Sequence, residues 1–457
     1  MNTRGGVGRW DVSPQGEVSL SIPLNSDSRW EERVTDTEWR LALSSPPEDL
    51  TFSDLNLSIL GGLKASRDGQ LLNLSLAWKY WCPTRIEWDA GGQLRVTFET
   101  RFEHRTERTV VPGVNYLKVH RADGSSPITF HVLRVDLKNP KVTVRPVLAG
   151  NQIFSVATIP EMVKRNGAVG GINGAYFSMR TLEPLGLMVL NGELVSGPLY
   201  HRSALLFGEG RVQIRQTALG ARLTVPGGET FECDGVNIRR GLNRLVVYNS
   251  RFGDLTPTSG DGIEAILDRE GRVVAFHRGP VPIPSDGWVI SAHGQAARWL
   301  LERISLGDEI KVSRPLFERM ADLRDGIGAG PRLLSAGRLK VQAAEEKFLS
   351  DVSFGLAPRS AVGLDNQGHL ILCTVEGRYS PRSVGVSLSG LASLLVELGA
   401  TDALNFDGGG STQMVVGGEL VSRPSEPEPR AVNNGLLIFY DSEAATHSLP
   451  QPVRVRW

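Results

Sequence analysis

Glycine and proline punctuate this 457-residue chain 51 and 26 times, and turn chemistry at that density favours many short strands. The first 110 residues show it best. Glu17–Pro23, Glu38–Leu43 and Gln70–Trp78 read as short strands, and Ser66–Gln70 and Asp89–Gln93 sit between apolar runs as hairpin turns do. Six of the nine tryptophans fall in this region (Trp10, Trp30, Trp39, Trp78, Trp81 and Trp88). Two readings stand side by side: a small sandwich core with tryptophans exposed at its edge, or a sugar-binding face, since indole stacks on the apolar face of a sugar while its N–H bonds hydroxyls.

Length suggests about three domains, or two with insertions, and a core of ample size without disulfides or a structural metal. The three cysteines, Cys82, Cys233 and Cys373, are scattered and form no metal-ligand pair. Basic and acidic residues balance at 50 each, which argues against a nucleic-acid partner, since that would need a basic surplus. No apolar run reaches the roughly 18 residues of a membrane span, and Met1–Trp10 contains no apolar stretch of the kind a signal peptide carries.

Further along, the charged stretch Thr100–Arg108 reads as a connector, and strands resume at Ile128–Leu137 and Lys141–Leu148. A short helix is predicted after Thr158, with Pro160 and Glu161 in its first turn and Gly167 closing it. Residues 213–320 read as an insertion with strands at Ile263–Asp268 and Arg272–Phe276. One helix there places Ala297, Leu300, Leu301 and Ile304 on a common face. Val189–Ser196 and Val415–Ser422 resemble each other as two-residue hairpins with Asn-Gly and Gly-Gly tips. The organisation expected is therefore an all-β module over 1–110, a main domain over 115–440 carrying that insertion, and a tail over 441–457. The fold class is α+β: a strand-rich mixed catalytic domain with few helices.

The segment Ala357–Thr412 speaks most directly to chemistry. Arg359–Asp365 leads through a turn into the strand His369–Val375, which ends in Glu376-Gly377-Arg378. A helix carrying Leu391, Leu394, Leu395 and Leu398 on one face follows, stopped by Gly399. The strand Ala403–Phe406 then delivers Asp407-Gly408-Gly409-Gly410-Ser411-Thr412. Glycines let a backbone approach a ligand closely and can converge their N–H groups on an anion; they also serve a tight turn that only glycine fits. No lysine follows for a nucleotide-phosphate loop, and Gln413 stands where a dinucleotide fingerprint or a nucleophile elbow needs glycine.

Taken together, Asn173-Gly174-Ala175-Tyr176-Phe177, Arg359–Gly363, Glu376-Gly377, Asn405–Ser411 and Arg430 resemble, in order and spacing, the motifs of the phosphodiester glycosidase family, over about residues 115–440. Ala175, Phe406 and Glu376 are conservative departures. The resemblance implies a hydrolase that cleaves a sugar 1-phosphodiester of an exported or cell-envelope glycan, and hence an extracellular or envelope location; no cofactor or metal is expected. Residues 1–110 lie outside the resemblance, and their Trp-rich short strands look like those of envelope-anchoring sandwich modules, which suggests cell-wall association. A phosphate ester leaves readily as an anion, so the site needs arginines and N–H groups around it and a carboxylate to activate water or face the developing cation. The candidates are Asp407 and Glu376 as catalytic acids, with Asn173, Arg359, Arg378, Gly408, Gly409, Gly410, Ser411 and Arg430 as binding residues. The alternatives are cleavage of an ordinary glycosidic linkage, or a non-catalytic polysaccharide-binding protein.

Overall fold

The computed structural model describes residues 7–14, 16–35, 38–53, 60–124, 126–208, 210–218, 220–313, 316, 320–379 and 381–442. Residues 1–6 and all but the first two of the tail expected at 441–457 lie outside the described residues. Strands dominate, and the described helices are short: Ile159–Asn166, Gly294–Leu301, Ser350–Ser353 and Leu388–Glu397. None is long and apolar enough to cross a membrane.

The N-terminal strands form a five-stranded and a four-stranded sheet. Alternate residues of each, among them Leu20, Ile22, Trp39, Leu41, Leu43, Leu74, Leu76, Leu94, Val96 and Phe98, are fully buried in a common cluster, the pattern a two-sheet sandwich requires. The tryptophans divide accordingly. Trp39 and Trp78 are core, whereas Trp30 and Trp88 are 38% and 40% exposed and pair edge-to-face 5.9 Å apart. The stretch expected as a connector is instead most of a long strand, Arg101–Val111, which pairs antiparallel with Val114–Asp123. Its charges alternate along an exposed face, which is why it reads as a linker; the pairing partner beyond the Gly113 turn makes it a strand.

Two antiparallel sheets position the site. One has eight strands in the order Arg101–Val111, Val114–Asp123, Ile128–Asp136, His369–Val375, Arg359–Leu364, Asp402–Asn405, Arg332–Ser335 and Arg338–Leu339. The other has five: Val142–Leu148, Asn434–Tyr440, Gly170–Asn173, Met414–Val416 and Glu419–Leu420. Leu133, Val362, Leu372, Leu404 and Phe406 from the first share one apolar cluster with Val144, Ile172, Met414, Leu436 and Ile438 from the second, so the sheets face each other. The helix Leu388–Glu397 covers the outer face of the first through Leu391, Leu394 and Leu395. The helix Ile159–Asn166 covers the outer face of the second through Ile159, Met162 and Val163. The result is a helix–sheet–sheet–helix stack.

Both covering helices begin and end where local chemistry directs. Thr158 and Glu161 form a reciprocal capping box, and Gly167 closes with φ 64°. Ser387 caps the second helix, and Gly399 follows it with φ 90°. Residues 222–313 contribute further strands in two small sheets around their own cluster of Leu223, Val247, Ala265, Ile290 and Leu300. The helix there, Gly294–Leu301, buries Ala296 and Leu300. Leu301, expected on the inner face, is 48% exposed, and Ile304 lies beyond the helix end, buried from the following turn. Both copies of the repeated hairpin form, with Asn191-Gly192 and Gly417-Gly418 all at positive φ.

Candidate functional site

Asp407 lies where the two facing sheets meet. Its strand, Asp402–Asn405, belongs to the eight-stranded sheet, yet its N–H donates to the Gly174 carbonyl at 3.1 Å, just past the end of a strand of the other sheet. Burial pushes the Asp407 carboxyl up from its ordinary 3.8 to about 6, against the opposing pulls of the Ser411 hydroxyl, the Gly408 N–H and the Arg430 guanidinium. A carboxyl in that range exchanges protons near neutrality, as a general acid or base must.

The three glycines after it have individual reasons, none of them the amide nest expected. Gly408 donates its N–H to Asp407 Oδ1 at 3.0 Å, and a Cβ there would lie 2.8 Å from the Pro358 carbonyl oxygen. Gly409 has φ 59° and donates to that same Pro358 carbonyl at 2.9 Å. A Cβ on Gly410 would collide with the ion pair of Arg430 and Glu426. Two of the three amides are thus already engaged, and the turn is glycine-rich because backbone and charged side chains crowd it.

Asn173, expected to meet a sugar, uses its amide inside the protein. Its Nδ2 donates to the Asp407 carbonyl at 2.6 Å, and its Oδ1 accepts from Ser360 Oγ at 2.7 Å and from the Gln413 N–H at 3.2 Å. It locks the two sheets together behind the acid. Arg359, expected to bind phosphate, is also turned inward: its guanidinium donates to the carbonyls of Val386, Val352 and Gly355 at 3.3, 3.0 and 3.4 Å. It ties the 352–358 segment against the turn.

Arg378 behaves differently. It is exposed, it holds φ 56°, and its guanidinium lies over Gly409. Among the described residues it has no carboxylate partner. Arg430 reaches the turn but pairs with Glu426, a partner that nothing in the motif pattern signals. Tyr176 is another neighbour not singled out. Its hydroxyl donates to the Gly330 carbonyl at 2.9 Å and accepts from Asn405 Nδ2 at 2.8 Å, and burial, followed by the nearby Asp407 charge, raises its pKa.

Glu376 points its carboxylate elsewhere, into a cleft of about 420 Å³ lined by Lys118, His120, Arg382, Arg423 and others. The cleft and the Asp407 turn share two walls. The segment Glu376-Gly377-Arg378 sends its acid into the cleft and its guanidinium onto Gly409, and the loop after Leu420 places Arg423 in the cleft and Glu426 and Arg430 at the turn. Trp81, packed on the N-terminal sandwich, stands behind two of the lining residues. It stacks on His120 at 5.0 Å, carries Arg382 over its ring at 4.5 Å, and donates its backbone N–H to the Pro381 carbonyl at 3.2 Å. Among the described residues no group of three or more His, Cys, Asp or Glu side chains is placed to hold a metal ion.

Residues 261–439 match the family model described as phosphodiester glycosidase. That span includes Arg359, Glu376, Arg378, Asp407–Ser411 and Arg430. It begins inside the segment read as an insertion and leaves Asn173 outside, so it is narrower than the resemblance drawn from motifs. An uncharacterized SPbeta prophage-derived protein of Bacillus subtilis, YomE, is 38% identical over 86 residues, 19% of this chain and 13% of that protein. The N-acetylglucosamine-1-phosphodiester alpha-N-acetylglucosaminidase of Bos taurus is 39% identical over 71 residues, 16% of this chain and 13% of the enzyme. The match thus spans about an eighth of the length of these relatives. A crystal structure of a hypothetical protein from Synechocystis superposes on 96% of this chain and 82% of its own, with a TM-score of 0.68 at 21% identity, which establishes a common fold.

Proposed function

We propose that this chain, which carries a phosphodiester glycosidase domain over residues 261–439, is a hydrolase of glycosyl phosphodiesters. The observation that carries the reading is Asp407: a carboxyl raised to about 6 on a turn overhung by the exposed Arg378, which has no carboxylate partner among the described residues. In the reaction the bond between the anomeric carbon and the phosphate oxygen breaks, and its electron pair departs on the phosphate. A water oxygen bonds to the anomeric carbon, and the water's proton passes to Asp407. Arg378 meets the leaving phosphate, whose charge it neutralises more strongly as the bond lengthens. Arg359 and Asn173 hold the turn in place, and Arg430 adds positive potential at Asp407. Glu376, across the shared wall, faces the sugar as positive charge develops on its ring.

An exported or cell-envelope glycan is the substrate source we favour, with the protein outside the cell or in its envelope. The exposed Trp30–Trp88 pair supports cell-wall association through the N-terminal region, because it offers two indoles to a sugar face. The test uses the purified full chain with UDP-N-acetylglucosamine or a p-nitrophenyl phosphodiester of N-acetylglucosamine, and with a p-nitrophenyl glycoside as contrast. Release of free sugar and a phosphomonoester from the diester is expected. Hydrolysis of the glycoside alone would move the reading to ordinary glycosidic linkages, and specific retention on polysaccharide with no hydrolysis would leave a binding protein.

A further inference from the structure

Tyr116, His131 and Glu376 belong to three neighbouring strands or their ends and form one hydrogen-bonded line. Tyr116 Oη lies 2.8 Å from His131 Nδ1, and His131 Nε2 lies 2.8 Å from Glu376 Oε1. The relative exposures are 6%, 0% and 7%. A carboxylate can only accept, so Nε2 carries the proton and donates it to Glu376. The Tyr116 phenol is pushed up to about 12, chiefly by burial, so it keeps its proton and donates to Nδ1. Each donor–acceptor step in the line then has one defined direction.

The end of the line is open. Glu376 Oε1 takes a second hydrogen bond, from the Arg423 N–H at 2.9 Å. Oε2 makes none among the described residues, and the side chain lines the 420 Å³ cleft with 9% of its surface exposed. The cleft brings Lys118, Arg382 and Arg423 around this one carboxylate. His120, held near 4 by burial and by Arg382, is neutral there at neutral pH. A buried histidine–carboxylate pair contributes little net stability compared with apolar residues of the same volume. A packing role therefore explains neither the line nor its open end. One carboxylate oxygen among three cations does match the charges of a glycosyl phosphate coming apart: positive on the sugar ring, negative on the phosphate.

We propose, building on the phosphodiester glycosidase reading, that Tyr116 and His131 are positioning residues for Glu376, and that the cleft seats the sugar phosphate with Oε2 against the sugar ring. Tyr116 and His131 touch no substrate. They fix which way the carboxylate faces, as outer partners of catalytic groups do.

The experiment compares His131→Leu, which removes the donor, with His131→Gln, whose amide N–H can replace Nε2–H, alongside Glu376→Gln, Tyr116→Phe and the His131→Leu/Glu376→Gln pair. Expected for His131→Leu is a fall in kcat of about 10- to 100-fold, the usual range for a lost outer partner, with KM little changed. His131→Gln should recover most of it. The pair should be no slower than the slower of its members, because both changes act through one carboxylate. Folded His131→Leu turning over at the full rate, or losses that multiply in the pair, would overturn the proposal. If the unaltered protein cleaves no glycosyl phosphodiester, the function reading fails by itself, and two readouts without turnover still judge this one. Nitrogen-15 NMR should find an exchange-protected proton on His131 Nε2 that loses its protection in Glu376→Ala. Calorimetry should find N-acetylglucosamine 1-phosphate binding that weakens in Lys118→Ala. An unprotonated Nε2 overturns the positioning role, and binding indifferent to Lys118→Ala overturns the seat.

Discussion

Asp407 and Glu376 look alike in the sequence: each is an acid just past a strand of the same eight-stranded sheet, and each is followed by glycine. Their surroundings differ. Asp407 is enclosed at a turn and raised toward neutrality by burial. Glu376 is gripped through one oxygen by a buried imidazole and a backbone N–H, with the other oxygen left to a cleft. An acid's task is set by what holds it: the first environment favours moving a proton, the second favours holding a carboxylate in one orientation.

The comparison breaks most visibly on turnover. Asp407→Asn should lower the hydrolysis rate by about two to four decades, the range for a lost general acid or base, with the circular dichroism spectrum unchanged. A full rate in this variant would shift the proton transfer away from Asp407.

Stability should separate the acids next. Because the Asp407 carboxyl is raised from 3.8 to about 6, the folded state binds its proton more tightly than the unfolded state does. The associated stability is fully present below about pH 4 and is lost as pH rises through about 6. Asp407→Asn should therefore be more stable than the parent at pH 7.5, by up to about 3 kcal/mol, with the gain shrinking toward pH 4. Glu376→Leu should do the reverse, losing about 1–3 kcal/mol because His131 Nε2 and the Arg423 N–H are left unpaired. Urea unfolding at the two pH values reads both, and a destabilised Asp407→Asn at pH 7.5 would contradict the burial argument.

The arginines sharpen the contrast on a smaller scale. Arg378→Ala should raise KM by about 10- to 100-fold, the loss of one charged hydrogen-bonding partner, and leave the melting temperature near the parent's. Arg359→Ala should lower the melting temperature instead, since three carbonyls of the 352–358 and 386 segments lose their donor. Equal effects from the two would mean that both reach the substrate. The smallest effect lies farthest away. Trp30→Ala should change stability by no more than about 0.5 kcal/mol, as exposed substitutions do, while reducing retention on insoluble polysaccharide. Trp39→Ala, from the sandwich core, should cost about 3–5 kcal/mol.

Much of the site was legible as a set of segments and little of it as a set of roles. Arg359, Arg378, Asp407, the three glycines, Ser411 and Arg430 do gather around one turn, with Asn173 directly behind. The roles went astray where a side chain had a nearer partner than the substrate: Asn173 on the Asp407 carbonyl, Arg359 on three carbonyls, Arg430 on Glu426. Tyr116 and His131 gave no motif at all. A histidine in the apolar strand Ile128–Asp136 reads as a satisfied core residue, and its carboxylate partner lies 245 positions away.

What the sequence determined by itself was local. The Asn191-Gly192 and Gly417-Gly418 tips, the Thr158–Glu161 capping box and the Gly167 and Gly399 stops require only a few consecutive residues, because φ, ψ and the first hydrogen bonds of a turn are set there. Tertiary structure alone decided that Arg101–Val111 is a strand, that Trp81 packs on His120 and Arg382, and that Glu376 hangs from Tyr116 through His131. Each of those depends on which strand lies next to which and in what register. A one-residue slip in that register would turn His131 to the other face of its sheet and leave Glu376 without its donor.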